Sequence, residues 1–204
     1  MGVPVLIMGA SGSGKSASLR NFEPDEIGIF NIACKPLPFR KKFKIINGNN
    51  YEQIKQVLQK NSLKTYAVDD SQYNMAFEQI ARAKEAGFQK YTDIGTHFID
   101  LIQTVMWHTS HDTIVYFLHH TEYTDDGRIK AKTVGKLIDN WLTLEGLFSI
   151  VLLAETDGKE HWFTTQSDGF TTAKSPMEMF PARMDNDLKA VDKAIREYWF
   201  SEGE

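Results

Sequence analysis

The chain has 204 residues, 42% of them hydrophobic and 25% charged, an ordinary globular composition with enough apolar material for one real core, so a single domain over 1–204 is expected. A net charge of −4 excludes a uniformly basic nucleic-acid binder but leaves room for a local basic patch. No apolar run approaches the ~20 residues of a membrane helix, and the single cysteine excludes an intramolecular disulfide framework. With an N-terminus that enters a strand and shows no signal-peptide pattern, the expected compartment is a reducing cytoplasm.

The first predicted strand is the apolar run Val3–Met8, and it leads into Gly9-Ala10-Ser11-Gly12-Ser13-Gly14-Lys15-Ser16. This stretch fits G-x-x-x-x-G-K-[ST] without mismatch, and a helix can continue from Ala17. The chemistry requires these residue types. Glycines reach backbone conformations closed to other residues, so main-chain N–H groups can close around a phosphate. The helix that follows points its positive end at the anion. Gly9, Ser11, Gly12, Ser13, Gly14, Lys15, Ser16 and Ala17 are therefore the nucleotide-binding candidates. Lys15 is expected to bridge the β- and γ-phosphates of ATP, and the Ser16 hydroxyl to sit on Mg²⁺.

A second strand is predicted over Ile27–Ile32. Cys34 after it is expected to fill space in or near the core. Pro36 and Pro38 then impose an extended loop. Arg40-Lys41-Lys42-Phe43-Lys44 reads as a solvated basic surface or as a phosphate contact. Ile54, Val57 and Leu58 mark a helix over Tyr51–Lys60. The third strand, within Leu63–Asp70, ends in Asp69-Asp70. An apolar strand ending in carboxylates is the Walker B partner that the glycine loop calls for. Asp69 is expected to hold the Mg²⁺ opposite Ser16, and Asp70 to orient the attacking water. Asp70 capping the next helix, Ser71–Ala86, is the alternative.

Phe98, Leu101, Ile102, Val105 and Met106 follow the i, i+3, i+4, i+7, i+8 pattern of a helix over Asp93–His108. His97, His108 and His111 repeat no metal-ligand spacing. The fourth strand, Thr113–Leu118, runs into His119-His120-Thr121-Glu122. Polar groups at the carboxyl end of a buried parallel strand face the ligand side of an α/β sheet. His119 or His120 is thus a candidate γ-phosphate sensor, and Glu122 a second candidate for polarising water. The Asp126-Gly127 turn suggests a short hairpin or excursion, and Arg128, Lys130, Lys132 and Lys136 make the segment a second basic cluster. A helix is predicted over Lys136–Leu142 and a fifth strand over Leu147–Leu153. A hairpin turned by Asp157-Gly158 follows, then a polar loop with Lys174, then a helix over Asp187–Trp199.

Strand and helix alternate throughout, which predicts an α/β fold: a mostly parallel five-stranded sheet with helices on both faces, then a C-terminal hairpin and helix. The chain resembles the phage-encoded RecA-like P-loop ATPases, described as single-strand annealing or recombination ATPases. The carrying stretches are GASGSGKS at 9–16, NIACKPLPF at 31–39, YAVDD at 66–70, VYFLHHTE at 115–122, LTLEGLF at 142–148 and TAKSPMEMF at 172–180. The resemblance implies a RecA-like fold in which the polar-ended fourth strand lies between the first and third. It implies ATP and Mg²⁺, single-stranded DNA as partner, and homo-oligomers that share ATP sites. A single-strand-binding protein is a further candidate partner, and the implied setting is recombination or replication in a bacterial host's cytoplasm. By resemblance, Arg128, Lys130 and Lys132 are DNA-binding candidates, and Lys174 is a candidate for reaching the γ-phosphate of a neighbouring subunit. Their loops are expected at the glycine-loop end of the sheet. In one respect the chain departs from that pattern: the second strand ends Ile32-Ala33-Cys34, where RecA-like enzymes often place a catalytic Glu.

Two other classes compete with a DNA-linked ATPase. One is a nucleotide or small-molecule kinase, which gathers arginines around phosphates. Here Arg20, Arg40, Arg82, Arg128, Arg183 and Arg196 are scattered along the chain. The other is a nucleotide-driven assembly or packaging protein without direct DNA contact.

Overall fold

A computed structural model describes residues 1–134 and 142–201. Among the described residues, nine strands form one mixed, mostly parallel sheet: β1 (Val3–Gly9), β2 (Ile27–Asn31), β3 (Ile45–Asn47), β4 (Thr65–Asp69), β5 (Ile114–Tyr123), β6 (Ile129–Ala131), β7 (Ile150–Thr156), β8 (His161–Thr164) and β9 (Arg183–Asp185). Their order across the sheet is β3-β2-β4-β5-β1-β7-β8-β9, with β6 paired to the far end of β5. The five predicted strands are β1, β2, β4, β5 and β7, and all run parallel. β5 lies between β1 and β4, so the glycine loop and Asp69-Asp70 leave the sheet on either side of His120.

The central strands are continuous apolar runs because both of their faces are covered. In β1, Leu6 and Met8 enter one core with Phe98, Leu101 and Val105 of α3 (Gln89–His108) and Ile54 and Leu58 of α1 (Tyr51–Gln59). Val5 and Ile7 enter the other core with Leu188, Val191 and Ile195 of the C-terminal helix (Leu188–Trp199). Side-chain caps start the two peripheral helices. Asn50 accepts from the Gln53 N–H at 3.1 Å, and Asp187 accepts from the Lys189 N–H at 2.9 Å.

Several predicted boundaries differ for identifiable reasons. The segment after the glycine loop is a 3-10 helix, Ser16–Asn21, rather than an α-helix. Phe22 turns extended, and Pro24 biases Glu23 the same way, so the helix has no room to lengthen. α2 spans Gln72–Ala81 and stops at Arg82, whose guanidinium pairs with Glu78, Glu85 and Asp93 across the turn into α3. β5 continues to Tyr123 because β6 supplies pairing beyond the main sheet, Thr121 with Ala131 and Tyr123 with Ile129. β7 begins at Ile150, after a 3-10 turn over Leu144–Leu147. The helix predicted over 136–142 falls, except for Leu142, outside the described residues. Cys34, expected near the core, is exposed. It stands in a left-handed turn (φ 54°) that swings the chain away from the sheet after β2. Among the described residues, no helix is long and apolar enough to cross a membrane.

Candidate functional site

The carboxyl ends of β1, β4 and β5 converge on a cleft of about 370 Å³. One wall is the glycine loop, with Ser11, Gly12, Gly14, Lys15, Ser16 and Ala17. The other carries Lys35, Asp69, Asp70 and His120. Glycine is required at several loop positions for distinct reasons. Gly12 and Gly14 hold φ of 82° and 94°, where side chains with a Cβ are strained. At Gly9 a Cβ would lie 2.4 Å from the Ser13 hydroxyl and 2.8 Å from the Ala154 carbonyl oxygen. Gly9 and Ser13 therefore form the packed base of the loop rather than the cleft wall.

Lys15 is almost fully buried, and its Nζ donates to the carbonyls of Gly9 at 2.7 Å and Ala10 at 2.8 Å. Burial pulls its pKa down to about 8, against the opposing pull of Asp70 and Asp69. The Ser16 hydroxyl donates to Asp69 Oδ1 at 2.7 Å, although 53 residues separate them. Burial raises the Asp69 pKa, and the Ser16 hydrogen bond offsets only part of the rise. Asp70 uses both carboxylate oxygens. Oδ1 lies 3.1 Å from His120 Nε2, and Oδ2 pairs with Lys35 Nζ at 2.6 Å. Burial pushes the Asp70 carboxyl up, but the His120 and Lys35 hydrogen bonds and the Lys35 charge outweigh it and hold its pKa below the usual value. Asp70 itself has φ 58°, a conformation that costs a non-glycine residue about 1–3 kcal/mol. The helix cap expected as its alternative role is not made: the first residue before α2 is Ser71, and no side-chain cap bond forms there.

The donor set suits a hard divalent cation. Ser16 and Asp69 offer a hydroxyl and a carboxylate side by side, and Mg²⁺ is bound by one or two such groups plus phosphates and waters. No cluster of three or more His, Cys, Asp or Glu fit for a metal occurs among the described residues, so an all-protein metal cage is not formed there.

Of the remaining sequence candidates, His119 is fully buried and not in the cleft. Its Nε2 donates to the Lys132 carbonyl at 2.8 Å and its Nδ1 meets the Ser71 hydroxyl at 2.9 Å. Burial pushes its pKa down to about 4. Glu122 stands apart as well, pairing with Lys130 at 3.1 Å across the β5–β6 hairpin. That hairpin does project past the glycine-loop end of the sheet, since His120 is level with Gly9. Its Arg128 pairs with Asp126, and Lys132 is exposed. Lys174 is placed otherwise than expected. Its backbone pairs with Val151, which is level with Leu6 in mid-sheet rather than at the carboxyl end. The polar loop folds back beside the start of β7 and carries Lys174 with it. No arginine among the described residues lines the cleft.

Two contributors were not singled out from the sequence. His161, on β8, lines the cleft and donates from Nδ1 to the Ser13 carbonyl at 3.1 Å, closing on Gly14 from behind. Nothing local to His161 signals this, because the contact depends on where the hairpin folds. Lys35 had a weak signal: it follows the strand end at which a carboxylate was missed. No protein-family model matches the chain, and no curated protein matches it.

Proposed function

We propose that this protein is a Mg²⁺-dependent ATP-binding protein and ATPase of the RecA-like P-loop type, acting with single-stranded DNA in phage recombination or replication. The observation that carries the nucleotide half is the Ser16–Asp69 hydrogen bond beneath the glycine loop. It joins the two motifs at the position where a P-loop enzyme holds the metal. The strand order, with β5 between β1 and β4, supports the RecA-like reading.

In this reading Lys15 exchanges its carbonyl partners for phosphate oxygens. Ser16 and Asp69 would hold Mg²⁺, which would supply neutralisation of phosphate charge. Asp70 would orient the attacking water, with His120 fixing its carboxylate. Single-stranded DNA rests on the family resemblance, with the projecting hairpin and its Arg128, Lys130 and Lys132 as the surface to test. The kinase alternative loses ground because arginines do not gather at the cleft.

ATP turnover with and without single-stranded DNA, double-stranded DNA and nucleosides tests the reading. Stimulation by single-stranded DNA is expected. Phosphate transfer to a nucleoside would move the assignment to a kinase.

One observation favours nucleotide-driven assembly without DNA contact. Phe77 and Ile80 on α2, with Phe88 before α3, are 36%, 69% and 82% exposed, and Phe77 stacks on Tyr73 beside His120. An apolar stripe leading from the cleft suits a homo-oligomer contact. A change in assembly size with Mg-ATP, and no effect of DNA on turnover, would select this reading.

A further inference from the structure

The cleft contains a cation that neither the glycine loop nor the Walker B strand supplies. Lys35 leaves the chain four residues after the end of β2 and reaches Asp70 Oδ2 at 2.6 Å. An exposed ion pair alone has little meaning. The backbone beneath Lys35 is held unusually well, however. Asn31 is buried, and both ends of its side-chain amide serve Lys35: Nδ2 donates to the Lys35 carbonyl at 2.7 Å, and Oδ1 accepts from the Lys35 N–H at 3.3 Å. Asn31 is also the register partner of Asp69. The lysine is thus anchored one strand away from the metal-binding carboxylate. Pro36 and Pro38 stiffen the chain just beyond it and line the same cleft.

Charge balance gives this anchoring a purpose. Two carboxylates, Asp69 and Asp70, face the cleft, and apart from Lys35 the one lysine lining it among the described residues is Lys15. A polyphosphate entering such a site would meet an uncompensated negative charge. Position decides which phosphate is involved. A glycine loop of this kind cradles the inner phosphates and leaves the terminal one toward the ends of the adjoining strands, which is where Lys35 and Asp70 meet. The Lys35 side chain is 59% exposed and so can be reached from solvent, whereas Lys15 is buried.

We propose that Lys35 is a second phosphate-binding cation of this cleft, recognising the terminal phosphate of a nucleoside triphosphate and so separating triphosphate from diphosphate. The proposal rests on the P-loop reading and adds to it a residue in the place where a carboxylate was expected.

Mg-ATP and Mg-ADP affinities of the full chain test it, measured calorimetrically for the wild type, Lys15→Ala, Lys35→Ala and Lys35→Arg. Lys35→Ala should weaken ATP binding about tenfold or more, the scale of one hydrogen bond to a charged group, and leave ADP within about twofold. Lys35→Arg should keep most of the discrimination, which also shows that the loop still folds. An unchanged ratio of ATP to ADP affinity in Lys35→Ala, or an equal loss for both nucleotides, overturns the proposal while the P-loop reading stands. A wild type that binds neither nucleotide, or a Lys15→Ala that binds both normally, overturns the two together.

Discussion

Two charged regions lie at the carboxyl end of this sheet, and they are built in opposite ways. In the cleft the partners are far apart in sequence and mostly buried: Ser16 with Asp69, Lys35 with Asp70, His120 with Asp70. On the β5–β6 hairpin they are near in sequence: Arg128 with Asp126, exposed, and Lys130 with Glu122, half-buried. Bringing distant polar groups out of water costs free energy that a fold does not spend without return. Pairs two to eight residues apart on a hairpin form whenever the turn forms, and each contributes about 0–1 kcal/mol. The first arrangement is a preorganised site. The second is a surface on which Arg128 and Lys130 already have carboxylate partners.

The largest effects should come from breaking the cleft. Lys15→Ala removes the cation that faces the phosphates and should abolish measurable ATP binding, with an unchanged circular-dichroism spectrum and melting curve showing the fold intact. Asp69→Ala should retain weak nucleotide binding and lose its dependence on Mg²⁺, read by titrating the metal at fixed ATP. Asp70→Asn should bind ATP and turn over ~100-fold to ~10,000-fold more slowly, the range for loss of a general base. Glu122→Gln, on the hairpin, should turn over at nearly the wild-type rate. The reverse pattern would move the water-activating role to the hairpin and erase the contrast between the regions.

His119 joins the two regions, and its pH dependence measures the joint. One ring nitrogen meets Ser71, next to Asp70, and the other holds the carbonyl of Lys132 at the end of the hairpin. Burial lowers its pKa from 6.5 to about 4. Between those values the unfolded chain binds a proton that the folded chain does not. Its contribution is therefore present above pH 6.5 and is lost as the pH falls toward 4. The full loss is about 3 kcal/mol on the linkage scale. Urea unfolding of the wild type and of His119→Gln at pH 7 and pH 4.5 should show a steeper acid loss in the wild type. Parallel losses would mean that His119 is not buried neutral and does not tie the hairpin to α2.

What could be read from the sequence follows the same division. The strands β1, β4 and β5 were legible because a buried parallel strand is a continuous apolar run, and the glycine loop because its chemistry demands fixed residue types at fixed spacing. Asp69 was legible only through its partner, since a strand ending in Asp is common. His161 and the Asn31 clamp were not, because each acts through a neighbour, 148 and 4 residues away, that only the folded chain supplies, and Lys35 had only the weak signal of following the end of β2. β9 is a three-residue strand with no period to detect, whereas the hairpin that β6 makes with β5 was signalled by the Asp126-Gly127 turn. The helix after the loop is 3-10 rather than α, and the sequence signal for its shortness is Pro24, which bounds it. The mid-sheet position of Lys174 was not legible because the path of a polar loop has no local signal, and Lys174→Ala should leave turnover of the monomer unchanged.

The smallest effect should come from the hairpin. If Arg128, Lys130 and Lys132 all contact phosphates of a single strand, neutralising the three together should flatten the slope of log K against log salt by about 2, at roughly 0.7 per contact. The ion pairs already present lower that expectation. Arg128 and Lys130 would have to leave Asp126 and Glu122, and those carboxylates would then repel the same phosphates. A flattening below about 1 is therefore expected, with Lys132, exposed and adjacent to the His119 contact, responsible for most of it. Fluorescence anisotropy of a labelled oligonucleotide from low to moderate salt reads the slope directly. The companion variant Glu122→Gln/Asp126→Asn sharpens the comparison. Freeing the two cations should tighten DNA binding if the hairpin is the contact surface. Unchanged affinity in both variants would remove the hairpin from any DNA site and leave the cleft as the one functional region at this end of the sheet.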